Sequence, residues 1–352
     1  MDVRLSPEQV ALRHAATQVV DRLGVHGVAA LDDHERAAKL DAAVAATGWR
    51  ELRTATDDGT PWASAVEVAL VAEELGRGLA DASFLGATLA AELRRRSGAP
   101  TAGGSETVVL RADLAELATD EGGHVPAGAL ALDAVNAETG LLLVGGAAGW
   151  VIGTVGLQPP AGTAAAGGVD LTRSVAAVGG ARTVTAVDGQ TRPLGGDDLA
   201  AWHSLGLAVT SADLVGVMRG ALTLTTEYAR QRRQYGSAIG SFQAVQHLLA
   251  DAFVAMEGAR SIALHAAWAV DALPASDALA AASAAKAYCD RAARAVCETA
   301  IQVHGGIGNT WECLAHVFLR RALLSGDVLG GIGSNLARVL ESRGIGGDRG
   351  LR

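Results

Sequence analysis

The spacing of apolar residues divides the chain into three stretches, and the first of them is helical. From Ser6 to about Ser97, apolar residues recur at helical spacing, interrupted by the turn cluster of residues 57–61. Ser6 and Pro7 suit a helix start, because Ser caps free amides and Pro fits the first turn. We therefore predict an N-terminal helical domain over residues 1–100.

The second and third stretches differ in the period of their apolar residues. Residues 101–198 contain short β-branched and aliphatic runs separated by Gly, Pro and Asp, such as "ETVVLRAD", "GLLLVGG" and "WVIGTVGL". They predict a small, shortened antiparallel β domain. Over residues 199–352 the helical period returns, with long segments near 200–234, 242–270, 275–303 and 312–341. Long helices with short connections favour a four-helix bundle, so the fold class is mainly α with a central β domain.

Composition excludes several classes of function. The net charge of −9 argues against a nucleic-acid surface. Cys289, Cys297 and Cys313 lack metal-site spacing, so we expect no metal and a reducing cytoplasm. The N-terminus lacks the apolar core of a signal peptide. The most membrane-like run, Leu141–Leu157, contains five Gly and indicates strands with turns, so we expect no membrane span.

The first candidate site is "RRQYGSAIGSFQAVQHLLAD", residues 232–251. Arg residues at a helix end, followed by a Gly, can be explained by the helix dipole alone, and this alternative stays open. It does not account for the amides and aromatic rings that accompany them. A guanidinium beside such groups suits a cofactor that carries both phosphate and a ring. The residues concerned are Arg232, Gln234, Tyr235, Phe242 and Gln243.

The second candidate site is "AIQVHGGIGNTWE", residues 300–312. Gln302 and His304 precede Gly305, Gly306 and Gly308. Three Gly in four positions let a ligand approach the backbone closely, and a following helix start favours an anion. A plain turn between helices explains the same Gly residues when this motif is taken alone. No nucleophile-elbow, zinc-protease or P-loop motif occurs in the chain.

Together these motifs resemble the acyl-CoA dehydrogenase family of flavoproteins. Residues 228–246 are similar to its Arg-x-x-Phe-Gly turn followed by Phe-Gln, with Tyr235 in place of Phe, and residues 302–312 to its Gln-x-x-Gly-Gly-x-Gly stretch. "GWRELRTATDDGTPWASAVEVALVAEELGR" resembles its Gly-Trp segment and Glu-Glu-Leu-Gly-Arg helix. The resemblance implies an N-terminal helical domain, a β domain and a four-helix bundle, assembled as dimers of dimers.

The resemblance also implies a shared FAD. Residues of one subunit's bundle would hold the adenine and pyrophosphate half of a flavin that is bound mainly by the neighbouring subunit. The residues that match these positions are Arg232, Gln234, Phe242, Gln243, Gln302, Gly305 and Gly306.

The catalytic base of the family is missing from this sequence. The implied reaction is α,β-dehydrogenation of an acyl-CoA thioester, in which a Glu at one of two positions removes the α-proton. Those positions are Gly206 and Leu329 here. Asp213 and Asp327 lie near them, and Asp327 is two residues from Leu329, an offset that turns a helical side chain by about 200°. The family's Thr-Glu-Pro and Gly-Ser-Asp stretch, which lines the flavin ring, has no counterpart in residues 101–198.

These departures match one arrangement within the family. Some bacterial members, similar to the steroid side-chain enzymes, are α2β2 heterotetramers in which one subunit carries the Glu and the flavin cradle. This chain resembles the other, non-catalytic subunit, which would reach FAD and an acyl-CoA only together with its partner. Two alternatives are a self-sufficient homo-oligomer that uses Asp327 or Asp213 as a displaced base, and a structural paralogue without flavin.

Overall fold

The computed structural model describes residues 4–146, 148–157, 168–179 and 182–345. Its helices precede and follow a six-stranded sheet. Four helices come first: α1 (Pro7–Leu23), α2 (His34–Ala46), α3 (Ala65–Arg77) and α4 (Leu85–Ser97). The later helices are α5 (Gly196–Gln231), α6 (Gln243–Ala272), α7 (Ala275–His304), α8 (Ala315–Asp327) and α9 (Ile332–Ser342). The chain is thus mainly helical with a central sheet, as predicted.

Helix α1 begins where the sequence indicates. The Ser6 hydroxyl accepts a hydrogen bond from the Gln9 amide at 3.2 Å, and the Gln9 side chain accepts one from the Ser6 amide at 3.0 Å. This reciprocal capping box satisfies two amides that have no partner within the helix. Pro7 occupies the first turn, where a missing N–H loses no hydrogen bond.

The sheet is mainly antiparallel, as predicted, and one of the five pairings among its described strands is parallel, which the sequence did not predict. Its order is β5-β2-β1-β3-β4-β6, and β1 runs parallel to β3. The reason is that β2 returns antiparallel on one side of β1, so the next strand runs in the direction of β1 on its other side. The strands are β1 (Glu106–Leu110), β2 (Leu130–Leu132), β3 (Thr139–Gly146), β4 (Gly149–Gly156), β5 (Val175–Ala177) and β6 (Thr185–Ala186).

The most apolar run of the sequence forms the β3–β4 hairpin. These strands pair antiparallel from Thr139 opposite Gly156 to Gly146 opposite Gly149. Helix α5, in contrast, is long and apolar enough to cross a membrane by composition, and 94% of its most apolar 18-residue window is buried inside the protein. The apolar composition of α5 is therefore that of a helix in the protein core.

The fourth long helix expected near 312–341 is broken into α8 and α9. Leu329 and Gly330 have left-handed backbone angles, with φ of 62° and 94°. The buried ammonium of Lys286 donates to the carbonyls of Val328 at 3.0 Å and Gly330 at 3.3 Å, and to that of Gly326. Lys286 thereby satisfies carbonyl groups that the break leaves without helical partners.

One hydrophobic core joins all three stretches of the chain. Its largest cluster includes Val71 of α3, Leu89 of α4, Leu110 of β1, Leu205 of α5 and Leu329. The division into domains at residues 100 and 198 stays a prediction. Helix α5 begins at Gly196, just ahead of the second boundary.

Close backbone contact between α3 and α5 gives a testable prediction. A Cβ atom added to Gly216 would lie 1.9 Å from the Glu73 carbonyl oxygen, which is too close for any side chain. We expect Gly216→Ala to lower the free energy of unfolding by about 3 kcal/mol, because the helices must separate. Urea unfolding of the purified chain measures this change.

The matched control is Gly333→Ala on α9, where an added Cβ meets nothing within 4 Å. Ala favours a helix over Gly by up to about 1 kcal/mol, so this variant should be at least as stable as the original chain. Equal stability of the Gly216→Ala and original chains would contradict the observed packing.

Candidate functional site

A short hairpin follows α5 and carries the first candidate site. The Arg232 amide ends the helix by donating to the Tyr228 carbonyl at 2.8 Å. Strand β7 (Arg233–Gln234) then pairs with β8 (Ser237–Ala238). The two residues between them, Tyr235 and Gly236, both have positive φ, 51° and 80°, as a type I′ turn requires. The Tyr-Gly break is therefore the turn of a tight hairpin.

The hairpin displays two aromatic rings beside polar side chains. Tyr235 is 95% exposed, and its ring meets that of Phe242 edge-on with centroids 6.4 Å apart. Phe242 immediately precedes α6, whose first residue is Gln243. The structure thus brings Arg232, Gln234, Phe242 and Gln243 to one end of the bundle as an exposed group.

The second candidate site lies at the end of α7. Gln302 is exposed in the last turn of this helix, which ends at His304. Gly305 has a φ of 65°, a conformation that favours Gly. A Cβ atom added to Gly305 or Gly306 would meet nothing within 4 Å, so the backbone here is open to approach.

An aromatic stack joins the two candidate sites. The ring of Tyr228, in the last turn of α5, stacks on that of His304 with centroids 4.3 Å apart and an interplanar angle of 23°. Arg232 follows Tyr228 by one turn, and Gly305 follows His304 directly. The two motifs, about 70 residues apart in the sequence, are therefore neighbours at one end of the bundle.

The polar side chains of this surface have no partner within the described part of the chain. No hydrogen bond or ion pair involves the side chains of Arg232, Gln234, Gln243 or Gln302 there. Neighbouring polar groups are engaged: Gln231 donates to Glu227, and Gln246 donates to the Gly240 carbonyl at 3.0 Å. A cation and three amides are thus available to a ligand with acceptor groups.

The two positions that match the catalytic base of the family, Gly206 and Leu329, are in direct contact, and neither carries a polar side chain. A Cβ atom added to Gly206 would lie 2.1 Å from Cδ1 of Leu329, and Leu329 is fully buried. The Leu329 amide is bound to the Leu114 carbonyl at 2.8 Å, which fixes its backbone. Residues 206 and 329 are far apart in sequence, and only the fold shows that they are neighbours.

Asp213 is buried in a cluster of charges. Its carboxylate accepts hydrogen bonds from Arg321 at 2.8 Å and from the Ser325 hydroxyl at 2.6 Å, and lies 3.5 Å from Arg173. Burial alone raises the pKa of Asp213, but the charges of Arg321 and Arg173 outweigh it and lower the pKa to about 2. Such a carboxylate is a poor proton acceptor. Asp327, in contrast, is exposed at the end of α8.

The same cluster ties the sheet to the bundle, and the sequence did not predict it. Arg173, in the segment before β5, lies 3.3 Å from Asp133 beyond β2, and Arg321 donates to the Thr172 hydroxyl at 3.0 Å. Asp170 lies 3.8 Å from Arg321. These residues are far apart in sequence, so periodicity and spacing carried no signal for them. Within the described ranges, no group of His, Cys, Asp and Glu is arranged to hold a metal ion.

Comparison with known proteins agrees with this geometry. Residues 206–331 match the model of the acyl-CoA dehydrogenase C-terminal domain. IpdE2 of Mycobacterium tuberculosis, an acyl-CoA dehydrogenase, is 32% identical over 270 residues, which cover 75% of this chain and 73% of that protein. The chain belongs to the acyl-CoA dehydrogenase family. Over two other curated acyl-CoA dehydrogenases that it matches, the chain spans only 19% and 50% of their length.

Solved structures share the fold of this acyl-CoA dehydrogenase family member. The Tcur3481-Tcur3483 steroid ACAD G363A variant superposes with a TM-score of 0.77 at 22% identity, over 96% of this chain and 98% of that one. The ChsE4-ChsE5 complex from Mycobacterium tuberculosis gives a TM-score of 0.74 at 24% identity, over 98% and 99%. At these identities the likeness shows the fold, and function requires its own argument.

The buried cluster predicts a large effect of one isosteric substitution. We expect Asp213→Asn to lower the free energy of unfolding by about 3 kcal/mol, because two buried guanidinium groups lose a counter-charge that they share. Urea unfolding at neutral pH tests this. Asp251→Asn removes an exposed carboxylate of α6 that has no hydrogen bond or ion pair within the described residues, and should change stability by less than about 0.5 kcal/mol.

The pH dependence supplies an independent check. The pKa of Asp213 is lower in the folded chain than its ordinary value of 3.8, so the stability it contributes is present above that value and is lost as the pH falls towards 2. The Asp213→Asn chain should lack this part of the acid-induced loss. An equal acid dependence in both chains would show that Asp213 is not paired as described.

Proposed function

We propose that this chain is the non-catalytic subunit of an FAD-dependent acyl-CoA dehydrogenase with an α2β2 arrangement. The complex would carry out α,β-dehydrogenation of an acyl-CoA thioester. This chain would supply the adenine and pyrophosphate half of a FAD site whose remainder, with the catalytic base, lies on the partner subunit. Neither the division of roles nor the shared site follows from family membership alone.

The observation that carries this proposal is the contact between Gly206 and Leu329. Removal of the α-proton needs a carboxylate within hydrogen-bond reach of the substrate carbon. The resemblance places that carboxylate at one of two positions, which are Gly206 and Leu329 in this chain. Gly206 has no side chain, and it is in contact with the buried side chain of Leu329. An apolar contact cannot accept a proton, and it leaves no space for a substrate there.

The junction of sheet and bundle supports the same conclusion. The resemblance places the flavin ring against the β domain, and here the described residues of that region are drawn onto the bundle by ion pairs. Arg173 contacts both Asp133 and Asp213, and Arg321 contacts the segment that holds Asp170 and Thr172. Charges that are already paired are not available to orient a flavin ring.

The exposed end of the bundle, in contrast, fits the nucleotide half of FAD. Arg232 can donate to a pyrophosphate, the amides of Gln234, Gln243 and Gln302 can bind an adenine or ribose, and the open backbone at Gly305 and Gly306 permits close approach. Bound FAD would supply the acceptor for the hydride that leaves the β-carbon. The residues of this chain would bind and orient its nucleotide portion.

Exposed aromatic residues support a partner chain against the bundle. The chain has only six Trp, three Tyr and four Phe, yet several of them are exposed in its C-terminal half. Aromatic side chains are enriched in protein interfaces, where they bury a large area with few rotatable bonds. The exposed rings are Tyr235, Phe242, Phe253, Tyr288 and Trp311.

The proposed substrate class is motivated by the descriptions of two structural relatives. One is described as a steroid ACAD and another as a complex of two different chains, ChsE4 and ChsE5. We propose a bulky CoA thioester, such as a steroid side chain attached to CoA, and a location in the cytoplasm. The cysteines Cys289, Cys297 and Cys313 are free and buried, as a reducing compartment permits.

Arg232→Ala tests the shared cofactor site. In a complex co-expressed with the catalytic acyl-CoA dehydrogenase of the same organism, we expect this variant to weaken FAD binding roughly 10- to 150-fold, since a charge-assisted hydrogen bond is lost. Titration of the flavin-depleted complex with FAD, followed by flavin fluorescence, measures the dissociation constant.

Arg230→Ala is the matched control, because Arg230 is an exposed arginine two residues away that forms a long, exposed ion pair with Glu227 at 3.9 Å. It removes the same charge and should leave the FAD dissociation constant within about 2-fold, the range expected of an exposed ion pair. If Arg232→Ala and Arg230→Ala behave alike, Arg232 does not contact the cofactor, and a flavin-free structural role becomes the better account.

The second candidate is a self-sufficient enzyme with its own base. Asp327 suits that role better than Asp213, because the Asp327 carboxylate is exposed whereas that of Asp213 is ion-paired. We expect the chain purified alone to be colourless and inactive, and Asp327→Asn to leave the activity of the complex unchanged. A visible spectrum and an acyl-CoA oxidation assay with an artificial electron acceptor test both statements. Stoichiometric flavin in the isolated chain, with activity abolished by Asp327→Asn, would establish this second candidate.

A further inference from the structure

Tyr228 and His304 join the two halves of the exposed surface, and we propose that they are a positioning pair for the cofactor. In this inference, which rests on the proposed function, the stack holds Arg232 and the Gly305–Gly306 backbone at a fixed separation, so that both reach one FAD. Neither ring contacts the cofactor itself.

On the α5 side, Tyr228 is bound to Arg232 through the backbone. Its carbonyl accepts the Arg232 amide at 2.8 Å, while its ring lies on His304. The Arg232 carbonyl in turn accepts the Ile239 amide at 2.8 Å, which closes the base of the hairpin. The Tyr228 backbone thus anchors Arg232, while the Tyr228 ring anchors the same turn of α5 to His304.

On the α7 side, His304 is held by two contacts. Its Nδ1 lies 2.8 Å from the Ala300 carbonyl oxygen, which can only accept, so Nδ1 carries the proton and the ring plane is fixed. Gly308 folds back on the same residue: a Cβ added there would lie 3.0 Å from the His304 Cβ and 2.9 Å from the Ile301 carbonyl oxygen. The Gly-rich loop thus rests on His304.

This connection is needed because the ligand-facing groups do not hold one another. The side chains of Arg232 and Gln302 are exposed, and neither has a partner within the ranges that the structure describes. His304, in contrast, is 6% exposed and packs between the Tyr228 ring and the Gly308 turn. Preorganisation lowers the entropy lost when a ligand binds, so a rigid link between the two halves favours binding.

The test compares His304→Asn with His304→Phe. Asn keeps an N–H donor for the Ala300 carbonyl and removes the aromatic face, whereas Phe keeps the face and removes the donor. In the co-expressed complex we expect His304→Asn to weaken FAD binding roughly 3- to 10-fold, the range of one aromatic pair, and His304→Phe to stay within about 2-fold. Tyr228→Leu removes the same stack from α5 and should match His304→Asn.

The decisive measurement repeats His304→Asn in the Arg232→Ala background. If the pair acts by placing Arg232, His304→Asn should weaken FAD binding by less than about 2-fold in the Arg232→Ala complex. The reason is that both substitutions remove the same interaction. A general loss of structure would instead multiply the two effects. Thermal unfolding of each complex shows whether the variants are folded.

Three results would overturn the inference: full multiplication of the two losses, no recovery by His304→Phe, or a His304→Asn complex with unchanged FAD affinity. Failure of the proposed function looks different, because Arg232→Ala alone would then leave FAD binding unchanged. The single Arg232 variant therefore distinguishes the failure of the site from the failure of the positioning pair.

Discussion

Between Ala201 and Met218, helix α5 is almost wholly buried, and this constraint shapes the rest of the molecule. Gly216 lets α5 approach the backbone of α3, Gly206 receives the side chain of Leu329, and Asp213 receives the guanidinium of Arg321. Each contact fixes a different neighbour: the N-terminal helices, the α8–α9 break and α8 itself. This buried stretch includes Gly206, one of the two positions where the resemblance places a catalytic base.

The distribution of charge follows from this packing. The buried guanidinium groups in the centre of the molecule are neutralised internally: Arg321 and Arg173 by Asp213, and Arg53 by Glu92 at 3.1 Å and Asp271 at 3.0 Å. At the end of the bundle, the described residues give Arg232 no such partner. A buried charge without a partner is costly, whereas an exposed one is available to a ligand. The surface proposed for the shared cofactor therefore offers a cation to a ligand.

Much of the fold and of the candidate site could be predicted from the sequence, because these parts depend on residues that are close together in the chain. The Ser6 cap, the long helices and the Tyr235-Gly236 turn are set by neighbouring residues, and the family motifs located both halves of the exposed surface. The parallel pairing of β1 with β3 was not predicted, since strand order depends on contacts between distant segments. The break at Leu329 was missed for a similar reason, because the group that stabilises it, Lys286, lies some 40 residues away. The contact of Leu329 with Gly206 and the stack of Tyr228 on His304 likewise exist only in the folded chain.

The most direct test of the central claim is a crystal structure of this chain in complex with its flavin-bearing partner and an acyl-CoA. The account predicts that the flavin ring and the carboxylate facing the thioester belong to the partner, with the Arg232 guanidinium within hydrogen-bond distance of the cofactor's pyrophosphate. A complete flavin between the sheet and bundle of this chain, with one of its own acidic side chains against the thioester, would contradict it.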